Sequence, residues 1–97
     1  MSPYKSYKII VHKKSEKFLA NLNKIDKEKC ISHIDDLVTE KYAFLDIKKL
    51  KKYKNLYRIK VDKYRVIFSP SKQEKIIYIP LIDHRREVYN RLQNLLN

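Results

Sequence analysis

The chain has 97 residues, enough for one modest hydrophobic core and too few for a second catalytic domain or a large cofactor-binding fold. Its 23 Lys and Arg stand against 11 Asp and Glu, a formal net charge of +12 that exceeds what solubility asks of a small domain and points to a polyanionic partner. No apolar run reaches the ~20 residues that span a membrane, and the absence of glycine excludes a P-loop, a dinucleotide-binding fingerprint or a nest of glycine amides, so side chains must hold any anion.

Met1 to Lys14 lacks the long apolar core of a secretory signal, and the expected location is the cytoplasm. Within it, Tyr7 to His12 is short, β-branched and aromatic, and bounded by polar residues, the pattern of a first strand. Ser15 is then a plausible N-cap, since Phe18, Leu19, Leu22 and Ile25 follow at helical spacing. After Asp26, expected to cap a second helix, come Cys30, Ile31, Ile34, Leu37 and Val38. Cys30 is the single cysteine; it has no thiol partner and reads as a small apolar residue of that helix. From Glu40 to Lys54 periodicity fades, which predicts a connecting loop, although Phe44, Leu45, Ile47 and Leu50 could pin it.

Three strands follow as a meander: Leu56 to Val61, Tyr64 to Pro70 and Lys75 to Asp83. The last is apolar on both sides and belongs inside the sheet; Pro80 lacks a ladder donor, which calls for a local bulge. Glu87 to Asn97 closes the chain with Val88, Leu92, Leu95 and Leu96 on one helical stripe. The predicted fold is a small single α+β domain spanning residues 1–97. A two-helix hairpin follows the first strand, a largely antiparallel four-stranded sheet is covered on one face by helices, and a C-terminal helix ends the chain.

A two- or four-residue connection centred on Asp62-Lys63 sets Val61 opposite Tyr64, Lys60 opposite Arg65 and Arg58 opposite Ile67. Alternation then sends Tyr57, Ile59, Val61, Tyr64, Val66 and Phe68 to the core face, and Arg58, Lys60 and Arg65 together to the other. Lys60 and Arg65 would form a non-hydrogen-bonded pair, where like charges cost roughly 0.2 to 1 kcal/mol. Three cations tolerated on one sheet face suggest a phosphate site, with splaying into water as the bland alternative. A three-residue turn would shift the register and disperse them.

A second constellation, Asp83-His84-Arg85-Arg86-Glu87-Val88-Tyr89, lies where the last strand meets the last helix, a place from which a rigid scaffold presents functional side chains. His84 could shuttle protons but more simply serves as a surface or hydrogen-bonding residue. Glu87 suits the first turn of a helix. Lys48, Lys49, Lys51, Lys52 and Lys54, with Tyr53 among them, form a basic run that, with Arg86, would attract a phosphate backbone irrespective of sequence. His12 and His33 have no companions at metal-ligand spacing, and neither metal nor cofactor is expected.

The succession Leu-Tyr-Arg-Ile-Lys-Val, two turn residues, Tyr-Arg-Val-Ile-Phe, an apolar strand and Ile-Asp-His-Arg-Arg-Glu-Val-Tyr resembles the RelE/ParE superfamily of toxins, over Tyr7 to Leu96. The resemblance implies a RelE-like fold related to small microbial ribonucleases and a type II toxin neutralised by a RelB-like antitoxin that wraps it, the pair binding operator DNA through the antitoxin. It further implies a metal-independent endoribonuclease that cuts mRNA in the ribosomal A site by attack of a 2′-hydroxyl on the adjacent phosphate, inhibiting translation. Lys60 and Arg65 match a lysine and an arginine of the family site, Arg85 the arginine after the last strand, and Tyr89 the tyrosine of the closing helix. Arg58 stands where the bacterial type member has a second lysine, and an arginine, always protonated, is a poor general base. On this resemblance Arg65 and Arg85 stabilise the transition state, Lys60 influences the 2′-hydroxyl proton, and Tyr89 stacks on or orients a base. A ParE-like gyrase inhibitor and a non-catalytic RNA- or ribosome-binding module are the alternatives.

Overall fold

The computed structural model describes residues 1–96. It consists of β1 (Lys8–Val11), α1 (Lys13–Ala20), α2 (Lys24–Asp36), a 3-10 helix (Glu40–Phe44), β2 (Ile47–Lys49), β3 (Tyr57–Val61), β4 (Tyr64–Ser71), β5 (Ile76–His84) and α3 (Val88–Leu96). The sheet has five strands in the order β1-β5-β4-β3-β2, with β1 parallel to β5 and the other pairs antiparallel.

The fifth strand, β2, lies in the segment expected to be a connecting loop. Its three residues Ile-Lys-Lys carry no legible period, and a short, lysine-bearing strand suits a sheet edge because it discourages further pairing. Bonds at both ends tie it to β3 and the connection before it: Lys60 N–H donates to Asp46 O at 2.9 Å and Leu50 N–H to Leu56 O at 2.9 Å.

Both expected helix caps are displaced. His12 caps α1, its Nδ1 accepting from Lys14 N–H at 3.2 Å, while Ser15 is wholly buried inside the helix and donates its hydroxyl to Ile79 O at 3.0 Å. Asn23 caps α2, its Oδ1 accepting from Asp26 N–H at 2.9 Å, while the Asp26 carboxylate accepts from Asn23 Nδ2 at 3.1 Å and keeps capacity for a more distant partner. In each case a side chain one turn earlier satisfies the orphan amide.

Helices cover both faces of the sheet, not one. On the first face, Leu19, Cys30, Ile34 and Leu37 from the α1–α2 hairpin pack on Ile59, Val61, Tyr64, Val66, Phe68, Ile77, Ile79 and Ile82. On the opposite face, Val88 and Leu92 of α3 pack on Leu56, Ile67 and Leu81. This second layer explains why β5 is apolar on both sides, and full burial of Val88 and Leu92 stabilises by roughly 1.5–3 kcal/mol each. Leu95 of the same stripe is 41% exposed, and the side chain of Leu96, like residue 97, lies outside the described residues.

The bulge anticipated at Pro80 is present. Ile67 pairs with Leu81 and Ser69 with Tyr78, so Ile79 and Pro80 together face Phe68 alone. Beyond β1, Ile79 O accepts from His12 N–H at 3.0 Å as well as from Ser15.

Candidate functional site

The β3–β4 hairpin closes through a two-residue turn, Asp62-Lys63, with Asp62 in the left-handed region at φ 57°. Asp tolerates that region better than most residues, which fits a chain with no glycine. The turn fixes the predicted register: Val61 opposite Tyr64, Lys60 opposite Arg65, Arg58 opposite Ile67. Because Lys60 N–H points away to Asp46 on the β2 side, Lys60 and Arg65 form the non-hydrogen-bonded pair, the type in which side chains lie closest.

Neighbouring strands extend this face. Lys48 of β2 stands opposite Arg58, and Asp83 of β5 stands opposite Arg65. Cations thus alternate with the apolar residues that α3 covers, and the uncovered end of the face presents Lys60 and Arg65 beside the hairpin turn. Arg85, just past β5, is tied to the same turn by its N–H, which donates to Lys63 O at 2.8 Å. The side chains of Lys60 and Arg85 are exposed, and Tyr89, in the first turn of α3, is 43% exposed.

Arg58 does not stand free with the other two. Its Nη1 donates to Asp46 O at 3.1 Å and to Asp46 Oδ1 at 3.3 Å, and only 12% of the side chain is exposed. The acid that answers it had no legible signal, since Asp46 precedes a strand too short to recognise. Arg65 folds back on the hairpin, its Nη1 donating to Asp62 O at 2.9 Å and Tyr64 O at 2.8 Å. Neutral carbonyls are weak competitors for a guanidinium, and an incoming phosphate oxygen offers a bond about twice as strong. The two acids of this face are both engaged: Asp46 by Arg58 and the buried Asp83 by Arg91, whose Nε lies 2.8 Å from Asp83 Oδ2. Lys48, Lys60, Arg65 and Arg85 therefore stand without an acid partner among the described residues, leaving the face positive.

Lys49, Lys51, Lys52, Lys54 and Arg86 are all exposed. Lys48 and Lys49 lie on β2 and the remaining lysines in the following turn, so the basic run borders the cationic face instead of forming a separate loop. His84 falls on the other side: it is the ladder partner of Tyr64, and its ring rests against Tyr64 and Phe18 with centroids 5.1 and 5.8 Å away. This packing suits the surface role anticipated for it and sets it apart from Lys60 and Arg65. Glu87 immediately precedes α3, its carbonyl accepting from Arg91 N–H at 3.0 Å, one position before the first turn where it was expected.

Beneath the hairpin, Tyr64 OH donates to Asp26 Oδ2 at 2.7 Å and joins β4 to α2. Burial, then the bond to Asp26, pushes the Tyr64 phenol up to about 12. The Tyr64 hydroxyl in turn holds the Asp26 carboxyl below the usual carboxylate range. The position from which Lys60 and Arg65 project is thus fixed from behind by a bond that stays neutral on one side and charged on the other at ordinary pH.

A small α+β domain built on a five-stranded, mostly antiparallel sheet is the fold of solved RelE toxins. The family described as the ParE toxin of the type II toxin-antitoxin system, parDE, matches residues 9–89, and the chain belongs to this family within the RelE/ParE superfamily. It is the toxin component of a type II toxin-antitoxin system. Among solved structures it is similar to the archaeal RelE–RelB complex from Pyrococcus horikoshii OT3, with 30% identity, 82% of this chain and 96% of that chain covered, and a TM-score of 0.70. The RelB–RelE antitoxin–toxin complex from Methanococcus jannaschii is 25% identical over 84% of this chain and 95% of that chain, with a TM-score of 0.68. The isolated E. coli RelE toxin shares the fold at 16% identity, over 95% of this chain and 100% of that chain, with a TM-score of 0.65. No curated protein matches the sequence.

Proposed function

We propose that the chain, as a single toxin domain over residues 1–97, is an endoribonuclease that cuts mRNA held on the ribosome. The observation that carries this reading is the cross-strand pair Lys60 and Arg65, two cations facing each other with no acid between them, beside an Arg85 whose backbone is bonded to the same turn. Local sequence choice works against stability there, which argues for an anion as the missing partner. In the proposed reaction a ribose 2′-hydroxyl attacks the adjacent phosphorus, giving up its proton to solvent, and the bond to the 5′-oxygen breaks as that oxygen takes a proton from solvent, leaving a 2′,3′-cyclic phosphate and a 5′-hydroxyl. Arg65 and Arg85 donate to the phosphorane oxygens, an effect for which one preorganised donor is worth roughly 10²- to 10³-fold in rate. Lys60 is the candidate to influence the 2′-hydroxyl proton, Tyr89 offers a ring for a base, and Arg58, bound to Asp46, supports the face electrostatically. Lys48, Lys49, Lys51, Lys52, Lys54 and Arg86 draw the RNA backbone in. The protein acts in the cytoplasm, and its partner is a RelB-like antitoxin through which the pair binds operator DNA.

Induction in cells followed by mapping of RNA ends on ribosome-bound message tests the reading. Ends carrying a 5′-hydroxyl within codons, lost in Arg65→Ala, are expected; intact message with halted growth would overturn it. The match to the ParE description favours one second reading, inhibition of DNA gyrase by direct binding. It requires loss of supercoiling activity in a purified gyrase assay with RNA left whole.

A further inference from the structure

We propose that Arg91 is a positioning residue for Arg65, acting by neutralising the buried carboxylate of Asp83. The inference rests on the reading of Arg65 as a phosphate ligand.

Asp83 is 2% exposed, and its directly opposite partner in the β4–β5 ladder is Arg65. Residues directly opposite share a sheet face, with Cβ atoms about 4.5–5.5 Å apart. An aspartate and an arginine so placed form the natural cross-strand ion pair, and that pair would occupy the guanidinium that phosphate needs. It is not made: Arg65 turns to Asp62 O and Tyr64 O, and Asp83 is satisfied from elsewhere. Its Oδ2 takes Arg91 Nε at 2.8 Å, and its Oδ1 accepts from His84 N–H at 2.7 Å.

The two partners of this bridge are unequal. The Arg91 side chain is 63% exposed and keeps water on its remaining donors, whereas that of Asp83 is 4% exposed. Removing Arg91 leaves a buried carboxylate with one backbone donor, a costly state that draws in a neighbouring cation. Arg65, directly opposite in the ladder and on the same sheet face, is the cation placed to answer it. Swinging its guanidinium onto Asp83 would remove it from the hairpin mouth and withdraw one transition-state donor. Docking of α3 thereby does more than cover Ile67 and Leu81; it brings the charge that keeps the arginine of the site available.

The discriminating comparison is Arg91→Ala, Asp83→Asn and the double variant, in single-turnover cutting of ribosome-bound mRNA at saturating complex. Arg91→Ala is expected to cut at least ~10-fold more slowly with half-saturation little changed, and Arg91→Lys to recover most of the rate. Adding Asp83→Asn to Arg91→Ala is expected to restore the rate to within about threefold of the parent, since no buried charge is left to capture Arg65. A bridge that merely pins α3 predicts the opposite, a double variant as slow as Arg91→Ala, and that result overturns the proposal. Should Arg91→Ala not fold, Arg91→Gln keeps the stem packed and carries the same comparison. Failure of the parent to cut RNA would count against the ribonuclease reading alone. A crystal structure of Arg91→Ala or Arg91→Gln decides the positioning in either event: Arg65 bonded to Asp83 supports it, and Arg65 still on the Asp62 and Tyr64 carbonyls overturns it.

Discussion

Arg85 is anchored by its own backbone to the β3–β4 turn, so its side chain starts from a fixed point while its guanidinium remains free to adapt. A planar fork can give two parallel bonds to a phosphate gaining charge on two oxygens, whereas a lysine gives a point charge. Arg85→Lys is therefore expected to bind ribosomes nearly normally yet cut at least ~10-fold more slowly, a loss of about 1.4 kcal/mol in transition-state stabilisation, read by single-turnover kinetics against equilibrium binding. Lys51→Ala reverses the pattern, weakening binding at physiological salt with little change in the saturated rate. Other residues set the pH window of the fold. Tyr64 and Tyr4 are both raised to about 12, chiefly by burial, so the folded state holds their protons more tightly than the unfolded chain does. Their contribution is complete below pH ~10, the ordinary phenol value, and is lost as pH climbs toward 12. Asp26 works in the other direction: its lowered value adds stability above the usual carboxylate range that disappears as pH falls through the lowered one. Denaturant midpoints of the wild type and of Tyr64→Phe, measured from pH 7 to 11.5, are expected to converge at the alkaline end; parallel curves would contradict the assignment. Cys30 is wholly buried and burial pushes its thiol up to about 11, so a thiol reagent is expected to label it only after unfolding.

At the scale of elements, α3 is docked, among the described residues, by two buried side chains and one bridge. Leu92→Ala is expected to cost roughly 2–5 kcal/mol in a urea titration, and to lower cutting through displacement of Arg91 and Tyr89. The turns carry a different strain. Ser6, Asn55, Asp62 and Lys75 all have positive φ, and a chain without glycine has filled these places with residues of which only Asn and Asp are at ease there. Lys75 has φ 56° and contributes its carbonyl to Lys8 N–H, a bond that any residue preserves. Lys75→Gly is thus expected to stabilise by about 0.5–1 kcal/mol, the relief of left-handed strain exceeding the entropy of the freer unfolded chain, with the denaturant slope unchanged.

Over the whole molecule, a net charge of +12 means that association with ribosomes or RNA should weaken steeply with salt, in proportion to the phosphates engaged. Removing Lys49, Lys51 and Lys52 together is expected to flatten that dependence by up to about three in log–log slope, measured by sedimentation with ribosomes across a salt series. The four principal strands, the three helices, the bulge at Pro80 and the register that sets Lys60 against Arg65 were legible in the chain itself, because period-two and helical patterns and a two-residue turn are local properties of consecutive residues. The edge strand β2 was not, because three residues carry no period and only pairing with the neighbouring strand β3 defines it. Nor were the true caps: Ser15 and Asp26 are good capping residues, and only packing revealed that Ile79 O and Tyr64 OH offered them better partners. The same division runs through the site. Sequence by itself determined the class of the molecule, its positive charge and which cations share a sheet face, since alternation along a strand decides that before any folding is complete. Tertiary structure alone decided which of them are free: Asp46 reaches Arg58 across strands and Arg91 reaches Asp83 from helix to strand, and ion pairs between different elements depend on how those elements dock, which no pattern within one element encodes.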